Sequence, residues 1–271
     1  MKDVVDQRLR ALRQIGSEAR QLLRDRLLAP FRSAHPSPVV VLGFQKSGTS
    51  AIAGLLGRAT GLPTTIDFVG ARSPYIDALR SGAEPFESFV RKNALAFSRP
   101  IVKEPNLSVF IPQIVEAFDR PKIVFVVREP ASNVKSILDR LKLDPRRLPK
   151  SGGWVPPNRT WAEMVGHAKG GDWDPVESLT RQWVQVNRHA VQHLEDLMLI
   201  RYEDFLSDKV GTVERAVAAL GMDRVHDIAS MVDHQFQPAG NRARKIADVF
   251  SETQMDMINQ MTADVRCELG Y

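Results

Sequence analysis

Short runs of apolar, largely β-branched residues punctuate the chain: Val39-Val40-Val41-Leu42, Ile101-Val102, Ile123-Val124-Phe125-Val126-Val127 and Leu197-Met198-Leu199-Ile200. None alternates with polar residues, the signature of strands buried on both faces of a parallel sheet. Between and after them, apolar positions recur at steps of three and four. That spacing predicts helices over 49–60, 84–97, 131–142, 176–194, 209–220 and 251–268. Strand and helix alternate, so the pattern predicts an α/β fold: a doubly wound, mainly parallel sheet with helices on both faces. In such sheets ligands gather outside the carboxyl ends of the strands. The residues that follow each strand are therefore the first place to look for chemistry.

Two segments depart from this rhythm. Over residues 1–32 the apolar positions Val5, Leu9, Leu12, Ile15, Leu22, Leu23 and Leu27 sit among many arginines, and the spacing predicts an amphipathic helix ending before Pro30. Such a helix fits a membrane surface, a partner or its own domain. His35-Pro36-Ser37-Pro38 then reads as a linker, giving an N-terminal unit over 1–35 and one domain over 36–271. The second departure is 145–175, where Gly and Pro are too dense for regular structure. A long loop of this kind is expected to be a lid or binding loop. Trp154, Trp161 and Trp173 lie in it and Trp183 just beyond. They read either as an acceptor platform or as staples for the loop, with Trp183 expected in the core.

Composition narrows the possibilities. A chain of 271 residues with 43% hydrophobic content has enough apolar side chain for a substantial core and is not generally disordered. Its single cysteine, Cys267, excludes an internal disulfide and a cysteine zinc cluster. The six histidines show no metal-ligand pattern beyond His189 and His193, which lack the interposed Glu of a zinc protease helix. No apolar run reaches the roughly 18–20 residues that span a bilayer, and the N-terminus has no signal-peptide core. The expected location is cytoplasmic or membrane-peripheral. The excess of 37 basic over 32 acidic residues, a net +5, is compatible with an anionic ligand and does not point to nucleic acid.

The clearest chemical signal follows the first strand: Gly43-Phe44-Gln45-Lys46-Ser47-Gly48-Thr49-Ser50, then a helical run. Strand, glycine-bounded loop and helix together aim backbone N–H groups and a helix N-terminus at an anion. The glycine spacing matches a Walker A loop, but Thr49 stands where that loop needs Lys, and the one lysine, Lys46, is inside the loop. The strand over 122–127 ends in Arg128 instead of a magnesium-binding Asp. A cation there repels a metal and attracts a second anionic group, although Glu129 beside it leaves a metal role open. The ligand implied is phosphate-bearing and bound at two anionic points, with no metal expected.

Gln45-Lys46-Ser47-Gly48-Thr49-Ser50 resembles the 5′-phosphosulfate loop of the PAPS-dependent sulfotransferases, whose usual form is Pro-Lys-Ser-Gly-Thr-Thr. Arg128, with Ser136 eight residues later, resembles the family's 3′-phosphate motif. Arg201-Tyr202-Glu203-Asp204-Phe205 resembles its Tyr-Glu-Asp signature, and Leu269-Gly270-Tyr271 its common ending. The likeness spans 38–271. It departs from the family at Gln45, which replaces Pro, and at Ala51, where cytosolic members carry an adenine-stacking Trp. The family's Arg-Lys-Gly loop is only loosely matched by Phe236 to Lys245. The chain resembles a divergent, bacterial-type member.

The resemblance implies PAPS as co-substrate, PAP as product and transfer of a sulfuryl group to an acceptor hydroxyl. Lys46 is then the cation at the leaving phosphate, with Gln45, Ser47, Gly48, Thr49 and Ser50 forming the loop. Arg128 and Ser136 hold the 3′-phosphate, and Arg242, Arg244 and Lys245 close over it. Phe236 stacks on adenine, and Tyr202 lies near it or in the core. Cytosolic members draw their base from a Lys-Thr-His motif; here that place reads Lys103-Glu104-Pro105-Asn106. Glu104 is the expected base, or else a cap or ion-pair residue. Lys103 keeps it ionised or touches the sulfonate. The acceptor expected is a carbohydrate or glycolipid hydroxyl, ahead of small alcohols or phenols. A P-loop kinase or NTPase and a non-catalytic PAP-binding module are the alternatives.

Overall fold

The computed structural model describes residues 16–148, 154–167, 173–234, 236 and 244–271. Five strands form one sheet: β1 (Val39–Gly43), β2 (Thr64–Ile66), β3 (Ile101–Lys103), β4 (Lys122–Val127) and β5 (Leu197–Arg201). Their order is β2-β3-β1-β4-β5, and every pairing is parallel. Four of the strands are the apolar runs of the sequence. The fifth, β2, was not expected: it has three half-buried residues, two of them Thr, at the sheet edge.

The helices are α1 over residues 16–28, α2 (Thr49–Thr60), α3 (Asp77–Arg80), α4 (Phe86–Lys92), α5 (Ala94–Phe97), α6 (Ile111–Ala117), α7 (Pro130–Leu141), α8 (Arg159–Met164), α9 (Pro175–Val191), α10 (Tyr202–Ser207), α11 (Lys209–Ala219), α12 (Ile246–Val249) and α13 (Glu252–Glu268). The single helix expected over 84–97 is two helices that meet at Asn93. The 145–175 segment is not wholly irregular. Asn158 accepts a hydrogen bond from Trp161 N and starts α8 inside it.

Both sheet faces are covered, which is why the strands read as unbroken apolar runs. Val40, Leu42, Val102 and Phe125 face one core, with Phe86 and Phe89 of α4 and Ile111 and Ile114 of α6. Val39, Val41, Val124 and Val126 face the other, with Ile52, Leu55 and Leu56 of α2 and Val213 and Val217 of α11. A third cluster joins α7, α9 and α13 around Trp183, which is fully buried.

The site lies where the winding reverses. β1 pairs with β3 on one side and β4 on the other, so the loops after β1 and β4 diverge and leave a crevice between them. Local chemistry fixes both loop ends. Gly48, at φ 105°, gives α2 a start that few other residues adopt. Glu129 accepts from Ala131 N and Ser132 N and caps α7, with Pro130 at its first position. A metal role was open for Glu129; its carboxylate is taken up by this cap.

At the N-terminus, α1 buries Glu18 and Leu22 against the domain. The helix ends at residue 28, before Pro30 as expected, and a 3₁₀ turn, Ala29–Phe31, continues it. Residues 1–15, half of the predicted amphipathic helix, lie outside the described residues. The Pro-rich linker is tied down: His35 N donates to Phe97 O at 2.7 Å and Lys122 N to Pro38 O at 3.0 Å.

Candidate active site

A cavity of about 1130 Å³ opens over the carboxyl ends of β1, β3 and β4. Its floor is the loop after β1. Lys46 is held at φ 66°, in the left-handed region, between β1 and Gly48. Gln45, Lys46, Gly48, Thr49 and Ser50 line the cavity. Ser47 does not: it is fully buried beneath the loop, and its N–H donates to Phe44 O at 3.1 Å. The loop is braced from outside. Asn133 Nδ2 donates to Gln45 O at 2.7 Å, and Gln45 Nε2 to Asn106 Oδ1 at 2.9 Å.

The residues expected at the second anionic position come from the end of β4 and from α7. Arg128 Nη1 donates to Lys46 O at 2.9 Å, so the two expected phosphate-binding cations are mechanically joined. Its main chain is fixed by Trp183, whose Nε1 donates to Arg128 O at 3.0 Å. Ser136 lies two turns along α7 and faces the same cavity, as do Ser132, Lys135 and Arg140. Arg244 and Lys245 line it from the C-terminal side, and Arg244 Nη2 lies 3.7 Å from Asp144 Oδ1. Arg242 lies outside the described residues.

The two aromatic residues expected near adenine, Tyr202 and Phe236, both line the cavity. Phe236 packs on α2 at Gly54, where a Cβ would come 2.3 Å from the ring. Tyr202 covers Gly48 in the same way, again at 2.3 Å, so glycine at both places lets a ring approach the helix backbone.

The other end of the cavity carries Asp67, Arg72, Lys103, Glu104, Asn158 and Trp161. Glu104 is 1% exposed. Its Oε1 accepts from Asn106 N and Nδ2, and its Oε2 accepts from Phe68 N at 3.2 Å. It thus clamps the end of β3 to the end of β2. Burial, reinforced by the charge of Asp67, pushes its carboxyl up to about 7. Asp67 itself is a quarter exposed and receives Lys103 Nζ at 2.5 Å. Lys103 is therefore occupied by Asp67.

The tryptophans divide. Trp161 lines the cavity. Trp154 is buried, stacks on Trp173 at 5.5 Å and donates from Nε1 to Leu141 O. Trp173 Nε1 donates to Val165 O at 2.6 Å. These two are staples of the loop, so a platform of three rings is not what the fold presents.

Lys46 carries the electrostatic signature of the site. Burial, and then the charges of Arg140, Arg128 and Lys103, push its ammonium down to about 8. An anionic ligand beside Lys46 would offset these like charges. Arg128 Nε is also buried with no hydrogen-bond partner among the described residues. Both features fit a ligand with two anionic ends.

The sequence profile for the sulfotransferase domain matches residues 36–247. The chain belongs to the sulfotransferase family. Solved sulfotransferases share its fold. The sulfotransferase STF9 from Mycobacterium avium is 11% identical, with a TM-score of 0.55 over 91% of this chain and 81% of that one. STF1 from Mycobacterium tuberculosis H37Rv is 14% identical, with a TM-score of 0.53 over 90% and 84%. Mouse SULT7A1, solved with PAP, is 14% identical, with a TM-score of 0.50 over 94% of each chain. No curated protein matches the sequence.

As a member of this family the protein is a PAPS-dependent sulfotransferase. The residues present fit that co-substrate: a loop with an inward lysine at one anionic end, Arg128 and Ser136 at the other, and rings at Tyr202 and Phe236 between α2 and the cavity. Sequence reading missed Asp67, because β2 is too short to announce itself. It also missed Arg140, which on the α7 periodicity lies one turn beyond Ser136 and was a legible signal. Among the described residues, no three His, Cys, Asp or Glu gather as metal ligands, and no helix is long and apolar enough to cross a membrane.

Proposed function

We propose that this sulfotransferase acts on the hydroxyl of a carbohydrate or glycolipid. The observation that carries the reading is the continuity of the cavity. One space joins Lys46 and Arg128 to an opposite end lined by Asp67, Arg72, Asn106, Asn158 and a single ring, Trp161. Amide, guanidinium and carboxylate groups around one aromatic face suit a polyhydroxylated acceptor better than a flat apolar phenol.

Bound PAPS supplies the sulfuryl group and a phosphate leaving group. Lys46, with the first-turn N–H groups of α2, faces the oxygen on which charge develops as the sulfur–oxygen bond breaks. Arg128 and Ser136 grip the far phosphate, whose charge does not change, and so orient the donor. At the other end the acceptor oxygen bonds to sulfur and gives up its proton. We assign that proton to the carboxylate pair Asp67 and Glu104. Glu104 has the raised affinity for a proton, and Asp67 is the member that reaches solvent. Lys103, bridged to Asp67, holds the pair in place.

A screen of sugar, glycolipid and phenol acceptors with labelled PAPS tests this. Transfer to glycan hydroxyls is expected; transfer to phenols alone sinks the acceptor class. PAP binding without transfer to any acceptor would favour a binding module.

A further inference from the structure

The outer face of the N-terminal helix is apolar where it should be polar. Leu23 is 61% exposed and Leu27 64%, one turn apart on α1, with Leu28 beside them and Phe31, 83% exposed, in the 3₁₀ turn that follows. The face turned to the domain already holds Glu18, Leu22 and Ala29. The stripe is therefore not what seats α1 on the described domain. The other large apolar side chains exposed among the described residues are scattered along the chain, whereas these four fall within nine positions.

Charge surrounds the stripe. Residues 19–34 carry Arg20, Arg24, Arg26 and Arg32 against one acid, Asp25, which Arg24 holds at 2.8 Å. Beside it lies a cleft of about 620 Å³ lined by Ala29, Pro30, Val90 and Ala94 together with Arg26, Arg32, Arg91 and Lys92. An apolar stripe framed by arginines is the pattern of a helix that lies in a bilayer interface, its apolar side in the acyl region and its cations at the headgroups.

We propose that α1 and the cleft beside it dock the protein on an anionic phospholipid surface. A second copy of the chain is the poorer occupant, since a two-fold contact through this face would set arginine against arginine. The opposite, domain-facing side of α1 reaches toward the acceptor end. Glu18 of α1 accepts from Arg72 Nη1 at 2.7 Å, and Arg72 lines the acceptor end of the cavity. A protein held on lipid through α1 therefore has the acceptor-side wall fastened to its docking element. The corollary, that the acceptor hydroxyl is carried by a membrane lipid, rests on the sulfotransferase reading; the docking itself does not.

Flotation of the full chain with phosphatidylglycerol–phosphatidylcholine vesicles, against phosphatidylcholine alone, tests the proposal. Capture by the anionic vesicles is expected to exceed capture by neutral ones by about tenfold or more, and to fall with salt. The variant Leu23→Ser/Leu27→Ser/Phe31→Ser should lose capture to the same degree while PAP still raises its melting temperature. Should that variant not fold, Arg26→Glu with Arg32→Glu carries the same expectation. Wild-type chain that stays off anionic vesicles overturns the proposal, as does undiminished capture of the folded variants. So does a wild-type dimer that the triple variant turns into monomer in sedimentation velocity. PAP shifts and turnover on a soluble acceptor report on the sulfotransferase reading alone, so the two failures are distinguishable.

Discussion

The guanidinium of Arg128 lies 4.6 Å above the ring of Tyr202 and donates to the main-chain oxygen of Lys46. One side chain at the end of β4 thus joins the phosphate loop to the Tyr-Glu-Asp segment. Arg128→Ala is expected to weaken PAP binding by about 10- to 100-fold, the worth of a charge-assisted hydrogen bond. Turnover at saturation should change far less, because the phosphate we assign to it carries the same charge before and after transfer. Arg128→Lys should not restore affinity, since an ammonium neither stacks on the ring nor forks between two acceptors. Calorimetric titration with PAP and steady-state kinetics check both. Equal loss in kcat and affinity would reassign Arg128 to the reacting end.

Lys46 gives the site a pH dependence in the alkaline range. Its ammonium loses its proton near pH 8 in the free protein, through burial first and neighbouring cations second. A bound anion restores the proton. PAP affinity should therefore fall by about tenfold between pH 7 and pH 9, with proton uptake on binding near pH 8. Lys46→Met should abolish both. The apo protein should gain stability as pH rises from about 8 toward the ordinary lysine value of 10.5, because the unfolded chain holds the extra proton in that window. A flat affinity profile between pH 7 and 9 would remove Lys46 from the anion site.

The carboxylate pair predicts an acid limb. Glu104 must be ionised to accept a proton, and burial with the Asp67 charge holds its carboxyl near 7, so kcat/KM should fall as pH drops below 7. Asp67→Asn removes one cause of that elevation. The limb should move to lower pH and turnover should fall by about 10²–10⁴-fold. Near-normal turnover would exclude Asp67. Glu104→Gln is a less clean test. Its oxygens accept from Asn106 on one side and Phe68 on the other, and Gln must turn an NH₂ toward one of these donors, at a cost of about 1–3 kcal/mol. The wild-type pair also loses stability as pH rises from 4.5 to about 7, since the folded state holds the proton longer. Urea melts of Glu104→Gln should show that slope flattened.

How far the sequence revealed this site follows from burial. β1 and β4 are apolar on both faces, so Val39–Val41 and Ile123–Val127 announced themselves, and Lys46 and Arg128 came with them. β2 is an edge of three half-buried residues with no periodicity to detect. Asp67, fixed by its position one residue beyond that edge, was invisible for the same reason. Glu104 was legible as a carboxylate after a strand, but its clamp onto Phe68 depends on the unseen strand. The tryptophans of 145–175 were legible as a group, whereas their division between cavity and staple depends on partners such as Leu141 O and Val165 O, which only the fold brings near.

The C-terminal residue supplies the last prediction. Tyr271 donates its phenol hydrogen to Glu203 Oε2 at 2.6 Å, and Glu203 Oε1 accepts from Glu129 N at 3.1 Å. Tyr271 is thereby tied to the turn that follows Arg128. Burial, with the Glu203 charge behind it, pushes the Tyr271 phenol well above its usual range, so it stays a donor at every working pH. Tyr271→Phe keeps the ring under Arg201, 4.3 Å away, but leaves a carboxylate oxygen short of its donor, at a cost of about 1–3 kcal/mol. Urea unfolding should register that loss, equally at pH 6 and pH 9. Because Glu129 caps α7 next to Arg128, PAP affinity should weaken by a few-fold while kcat holds, as expected of a residue that positions another. A variant with lower kcat and intact PAP affinity would place Tyr271 at the reacting end of the cavity instead.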